Sequence, residues 1–328
     1  MNITVILCTY NRCERLAKAL ESVAVSVLPA GAEWEVLVVD NNSNDETRLV
    51  VESFSARFPG RFRYFFEQRQ GKSFALNSAI LGAKGGLLAF MDDDVVVDPT
   101  WLRNVTAPLE SSEWAGVGGR IRLQETFTAP PWLPLDGPNT LAGMLAQFDL
   151  GDRACGLTVP PFGTNMAFPK AIFKEYGSFR TDMGPSPGSE IRNEDTEFAR
   201  RLFLGGEKLW YEPSAIVYHE VPESRLNKDY FLKFWYDHGR ALVREKEQKP
   251  SVFGIPRDCF AISKAAAIML PMRAIRWFLT FDAKGRFFAK GMVWSTLGQI
   301  AETCNSWKGR KKSIVGGSTD QTGIARQP

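Results

Sequence analysis

Short runs of apolar residues, each followed by a stretch of helical spacing, fill the first hundred positions. This rhythm limits the possible folds more than any other feature. Residues 4–8 are β-branched and apolar, 36–39 continuously apolar, 62–66 aromatic, and 87–91 apolar again. Between them, 14–25, 46–57 and 72–83 carry helical spacing. Apolar strands alternating with helices predict a mostly parallel central sheet covered on both faces, an α/β fold. Ligands of such sheets lie beyond the carboxyl ends of the strands. Asp40 ends the second run and Asp92 the fourth, so two acids are expected at one crevice.

After Pro99 the rhythm loosens. Residues 116–122 read as a strand, and the Pro- and Gly-rich stretch 126–164 as loops with a short helix at 140–148. A strand at 165–168 and a helical turn at 170–176 precede a Gly/Pro/Ser stretch, 177–191, expected to be a mobile loop. A helix over 194–204 stops at Gly205-Gly206. Residues 208–211 and 216–219 read as two short strands. The expected organisation is a catalytic domain over 1–226, a helical, basic and aromatic extension over 227–312, and a disordered tail over 313–328.

Charge divides along the same line. Residues 1–224 carry 21 Lys and Arg against 29 Asp and Glu, whereas 225–312 carry 18 against 7. An acidic first part and a basic, aromatic second part suggest different work. The aromatics of the extension suit either a packed helical hairpin or a surface lying on anionic lipid. No nucleic-acid module accompanies the basic residues, so nucleic acid is not an expected partner. Five cysteines, odd in number and without a CxxC pair, argue against disulfides and against a cysteine-built zinc site. The first residues run straight into a strand, and no apolar stretch reaches the roughly 20 residues of a spanning helix. A cytoplasmic protein is expected, with peripheral attachment at the inner face of the cell membrane as an option.

Asp92, Asp93 and Asp94 close the fourth run. Three adjacent carboxylates repel one another unless something cationic gathers them. In extended chain, Asp92 and Asp94 would share one side. Hard oxygen ligands of this kind suit Mg²⁺ or Mn²⁺ bridging substrate phosphates; the plain alternative is a solvated acidic turn. Asp40 could hold a ribose or base, or merely shape its turn. A dehydrogenase would need a glycine-rich turn after the first strand, and Cys8-Thr9-Tyr10-Asn11-Arg12-Cys13 has no glycine.

Seven motifs in order carry a more specific resemblance. They are Thr4-Val5-Ile6-Leu7-Cys8-Thr9-Tyr10-Asn11-Arg12, Val38-Val39-Asp40-Asn41-Asn42-Ser43, Gly71-Lys72-Ser73-Phe74-Ala75-Leu76-Asn77 and Phe90-Met91-Asp92-Asp93-Asp94. Gly163-Thr164-Asn165-Met166-Ala167-Phe168, Asn193-Glu194-Asp195 and Val217-Tyr218-His219-Glu220-Val221-Pro222 complete them. Together they resemble the family-2 glycosyltransferases of GT-A fold, over about residues 2–225.

That resemblance implies roles. Thr9, Asn11 and Arg12 would line the nucleotide pocket, with Asp40 on the base or ribose and Lys72 near the nucleotide phosphates. Asp92 would face the ribose or metal, and Asp93 belongs to the same donor-site group without a separate duty. Asp94 would be the principal ligand of Mn²⁺ or Mg²⁺, with His219 as a second; His219 as a structural residue is the alternative. Arg225 could clamp the departing diphosphate. Asp195 would be the general base that takes the acceptor hydroxyl's proton, although acids at 194 and 195 are also favoured by a helix N-terminus. Asn77, Asn165 and Glu194, within these motifs, are secondary candidates.

The implied function is inverting, metal-dependent transfer of a sugar from a nucleotide-sugar, with UDP the expected nucleotide. The acceptor would be a saccharide or a lipid-linked molecule in cell-surface polysaccharide or glycoconjugate synthesis. Two other readings stand beside it. A sugar-nucleotide pyrophosphorylase should carry a glycine-rich phosphate loop near the first strand, and none is present. A catalytically degenerate, membrane-associated binding protein need not retain Asp40, Asp92, Asp94, Asp195 and His219 together.

Overall fold

The computed structural model describes residues 2–28, 31–245 and 264–316, with side chains to residue 307. The chain divides into two compact units, Met1–Asn227 and Lys228–Pro328.

The first unit is built on one nine-stranded sheet. Its first part is parallel: β1 (Asn2–Thr9) lies between β2 (Glu33–Asp40) and β4 (Leu87–Asp92), and β3 (Phe62–Phe66) flanks β2. The fully buried Val5, Leu7, Val36, Val38 and Ala89 show why these runs carry no polar alternation: helices cover both sheet faces. One such helix, α1 (Cys13–Ala24), buries Leu16, Ala19, Leu20 and Val23, the spacing of a single apolar stripe. Helices α2 (Thr47–Arg57) and α3 (Lys72–Gly82) complete the βα alternation.

Beyond β4 the sheet becomes mixed. β8 (Asn165–Pro169) runs antiparallel to β4, β6 (Gly116–Leu123) antiparallel to β8, and β9 (Leu209–His219) parallel to β6. The two short strands expected at 208–211 and 216–219 are one continuous strand, β9. Its pairing with β6 shifts register between Gly119 and Arg120, which absorbs residues 213–215. Two pieces go unread in the sequence. β5 (Val95–Val97) pairs antiparallel with β9, and the two-residue β7 (Cys155–Gly156) pairs with β9 as well.

Helix α4 (Trp101–Thr106) packs on β9, and a Phe cluster ties this mixed part to α5 (Ile172–Tyr176) and α6 (Glu194–Leu204). Phe173 and Phe198 stack at 4.7 Å, and Phe90, Phe168 and Phe179 pack edge-on or tilted around them. Each such ring contributes about 1.5–3 kcal/mol by leaving water. The packing fixes the start of α6, and with it Glu194 and Asp195.

The second unit is helical. α7 (Lys228–Glu245) packs on the last helix, α9 (Ala283–Gly316), with α8 (Leu270–Leu279) between them in sequence. Gly239 and Gly298 sit where the opposite helix's backbone leaves no room for a Cβ, which permits the close crossing. Glu302 receives Arg240 at 2.9 Å and Arg244 at 2.7 Å across that contact. Helix α9 continues through Gly316, into the stretch read as a tail, and 317–328 lie outside the described residues. Among the described residues, no helix is long and apolar enough to cross a membrane.

Candidate active site

Strand β4 stops at Asp92, and the chain turns through Asp93 and Asp94 before β5. The expected extended placement, with Asp92 and Asp94 on one side, is replaced by this turn. It sends three carboxylates to three sets of partners. Asp92 receives the Lys72 ammonium at 2.6 Å and the Thr164 hydroxyl at 2.7 Å. Asp93 receives Thr9 Oγ1 at 2.7 Å and Arg12 at 2.8 Å. Asp94 faces His219 Nε2 at 3.5 Å, Arg12 at 3.3 Å and Arg225 at 3.6 Å.

The placement of these partners follows from topology. Thr9 and Asp92 are the last residues of two adjacent parallel strands. Lys72 opens α3 behind Gly71, whose φ of +136° is a conformation that L side chains rarely adopt. His219 is the last residue of β9, held opposite Val95 by the β5 pairing, and the Glu220 N–H donates to the Asp94 carbonyl at 2.9 Å.

Burial opposes charge here, and the cations decide the outcome. Burial pushes the Asp92 and Asp94 carboxyls up. Lys72 nevertheless holds Asp92 below the ordinary carboxylate range, and His219, Arg12 and Arg225 hold Asp94 well below it. Asp93 goes the other way: burial outweighs Arg12 and pushes it up to about 6. Burial also works against the Lys72 ammonium, but Asp92, Glu194 and Asp195 together raise it far above the ordinary lysine range.

The acids of α6 adjoin this network. Glu194 is 3% exposed and lies 3.7 Å from Lys72. Burial and the neighbouring Asp195 charge push its carboxyl up to about 7. Asp195 is half-buried; its Oδ2 accepts the Gly163 N–H at 2.5 Å and its Oδ1 the Thr196 N–H at 2.7 Å. Gly163 and Thr164 thus form a two-residue link, one bonded to Asp195 and the next to Asp92. Neither was singled out from the sequence, although Gly163-Thr164-Asn165 carried the signal.

A second cluster joins the ends of β1 and β2. Asp40, 3% exposed, accepts the Tyr64 hydroxyl at 2.7 Å and the Ser43 N–H at 2.9 Å. Asn11 adopts φ +51°, donates its N–H to Ser43 Oγ at 2.9 Å and accepts the Asn44 N–H at 2.7 Å. Burial and Asp40 together push the Tyr64 phenol above its ordinary range. Tyr64 is a further residue that sequence reasoning missed.

The remaining secondary candidates are framework. Asn77 exchanges two hydrogen bonds with the Phe179 backbone. Asn165 donates to the Arg120 and Ala215 carbonyls and accepts the Trp101 indole N–H, so its amide is spent inside the core. The segment 177–191, expected to be mobile, is laced onto α3. Ser73 Oγ donates to the Met183 carbonyl at 2.7 Å, and the Lys72 N–H to the Pro185 carbonyl at 2.9 Å.

Among the described residues, no group of three or more His, Cys, Asp or Glu forms a metal cage. Asp94 and His219 nevertheless offer one carboxylate and one imidazole side by side. The buried Nδ1 of His219 has no hydrogen-bond partner. Two protein ligands fit a Mn²⁺ or Mg²⁺ that completes its coordination with substrate phosphate and water. The three cations Arg12, Lys72 and Arg225 around the same carboxylates suit an anionic ligand.

Comparison with known proteins places the chain in a family. The chain is 28% identical over 298 residues to the succinoglycan biosynthesis protein ExoM of Rhizobium meliloti, covering 89% of this chain and 90% of that one. It is 24% identical to the dodecaprenyl-phosphate galacturonate synthase of Rhizobium johnstonii, covering 96% and 78%. The fold matches the mannosyltransferase PcManGT of Pyrobaculum calidifontis, solved with GDP-Man and Mn²⁺, at a TM-score of 0.54 and 17% identity, covering 96% and 78%. These relationships set the pyrophosphorylase reading aside. The description "Glycosyl transferase family 2" matches residues 4–177, more than half of the chain. With its central sheet flanked by helices in the GT-A manner, this chain belongs to glycosyl transferase family 2.

Proposed function

We propose that the chain is an inverting, metal-dependent transferase. It moves a sugar from a UDP-sugar onto a saccharide or lipid-linked acceptor in the synthesis of a cell-surface polysaccharide or glycoconjugate. The observation that carries this reading is the pairing of two acid groups through Gly163 and Thr164: a cation-ringed trio at the end of β4, and Asp195 on α6. The relatives named for succinoglycan biosynthesis and for dodecaprenyl-phosphate galacturonate synthesis support the acceptor class. A cytoplasmic location with peripheral attachment to the inner face of the membrane fits such an acceptor.

Thr9, Asn11 and Asp40 border the nucleoside pocket, with Tyr64 orienting Asp40. Each Asp40 oxygen already has a donor of its own, Tyr64 or the Ser43 N–H. The single N3–H of uracil suits such an acid better than the two-donor edge of guanine does. Asp92 and Asp93 position Lys72 and Arg12, and Arg12, Lys72 and Arg225 attract the diphosphate. A Mn²⁺ or Mg²⁺ held by Asp94 and His219 would neutralise charge on the leaving nucleoside diphosphate. Asp195 accepts the acceptor hydroxyl's proton as that oxygen bonds to the anomeric carbon and the carbon–phosphate oxygen bond breaks. Asp92 and Glu194 both adjoin Lys72, which supports reading them as its partners and Asp195 as the single working carboxylate of a displacement with inversion.

The test is Asp195→Asn. Donor binding should persist while transfer falls by at least about 10²-fold. A variant that still turns over at the parental rate would remove Asp195 from this role. NMR of the product's anomeric configuration checks inversion independently.

A further inference from the structure

Within the second unit, the helical stretch from Ala265 to Leu279 carries its bulk outward. Ile268, Met272, Ile275 and Leu279 follow a four, three, four spacing that places them on one helical face, and each is more than half exposed. Phe278 is 69% exposed, and Phe281, just past the helix, is 92% exposed. The inward side is already occupied: Trp277 packs edge-on against Trp294, and Lys290 lies over both rings. Arg273, the one charge between Ile268 and Ile275, turns inward to the Met292 carbonyl at 2.9 Å and Thr296 at 2.7 Å. The outer face is left apolar over about 20 Å of helix.

The surroundings of this face are predominantly cationic. Lys264, Arg276, Lys284 and Arg286 are exposed near it, and residues 264–290 hold six Lys and Arg against one Asp. Contiguous exposed apolar surface of this kind marks an interaction site. A second copy of the chain docking face to face would set cation against cation, which disfavours a symmetric dimer. An apolar stripe with a cationic border instead complements the headgroup region of an anionic bilayer.

We infer that this face is a lipid-binding surface, with the apolar side chains inserted among headgroups and the exposed cations at lipid phosphates. It deepens the proposed peripheral attachment, but it stands or falls without any donor, metal or acceptor present. The test is therefore sedimentation of the full chain, free of substrates, with vesicles of phosphatidylcholine alone or mixed with phosphatidylglycerol. The chain should pellet with the anionic vesicles at low salt. High salt, or Arg276→Glu with Lys284→Glu and Arg286→Glu, should weaken that partitioning by at least about tenfold. Ile275→Glu with Leu279→Glu should abolish it at an unchanged melting temperature. If that pair fails to fold, the salt series and the charge variant decide the matter alone. Recovery of the parent in the supernatant with both vesicle types would overturn the inference. So would a concentration-dependent doubling of mass that the Ile275/Leu279 pair removes, because the face would then be a protein interface.

Discussion

Thr164 and Glu194 show how much of the candidate site depends on residues that need not touch a reacting atom. The Thr164 hydroxyl gives Asp92 its second partner beside Lys72. A hydrogen bond to a charged group contributes about 1.5–3 kcal/mol, so Thr164→Val should lower kcat/KM by about tenfold or more. Unchanged kinetics would make that contact incidental. Glu194 carries a pH signature. Its folded carboxyl is pushed up to about 7 by burial and by Asp195, above an ordinary value of 4.5. The folded state therefore binds the proton more tightly than the unfolded state does. That contribution is fully present below about 4.5 and is lost as pH rises through about 7, a change on the order of 1–3 kcal/mol. Glu194→Gln, neutral throughout, should melt close to the parent at pH 5 and above it at pH 8. A difference independent of pH would contradict this assignment.

At the scale of elements, strand β6 explains the sheet's tight middle. In Gly116-Val117-Gly118-Gly119, a Cβ at position 116 would enter the Phe168 ring and one at 119 the Asn165 amide. Gly116→Ala should therefore destabilise the protein by about 1–3 kcal/mol, read as a lowered denaturant midpoint at unchanged slope. The same strand shows where the sequence was legible. Runs such as 4–8 and 87–91 announced themselves because strands buried on both faces must be apolar throughout. β5 was hidden because Val95–Val97 is three residues long and pairs with a strand more than a hundred positions away. β9 was split because the Pro213 region breaks the apolar pattern without breaking the strand. Residues 177–191 look mobile by composition, yet Ser73, Asn77 and the Lys72 N–H hold them by partners that local spacing does not reveal.

At the scale of the molecule, the acidic and basic halves of the chain correspond to two compact units. Most of the residues that matter were visible at strand ends: Asp40, Asp92 and His219, with Asp94 two positions past Asp92. What the sequence withheld was their division of labour, since the turn at Asp93–Asp94 is set by β5 pairing away from β4. Asn165 shows the converse. It sits inside a site-like motif, yet its amide closes the core between β6, β9 and α4. In the proposed mechanism Asp94, with His219, would link a divalent cation to the nucleotide-sugar. Thermal melting of the parent and of Asp94→Asn with UDP-, GDP- and dTDP-sugars, with and without Mn²⁺, measures this most directly. A UDP-sugar should raise the parent's melting temperature only when Mn²⁺ is present, and Asp94→Asn should lose this metal-dependent rise. An equal rise without metal, or a full metal-dependent rise in Asp94→Asn, would contradict it.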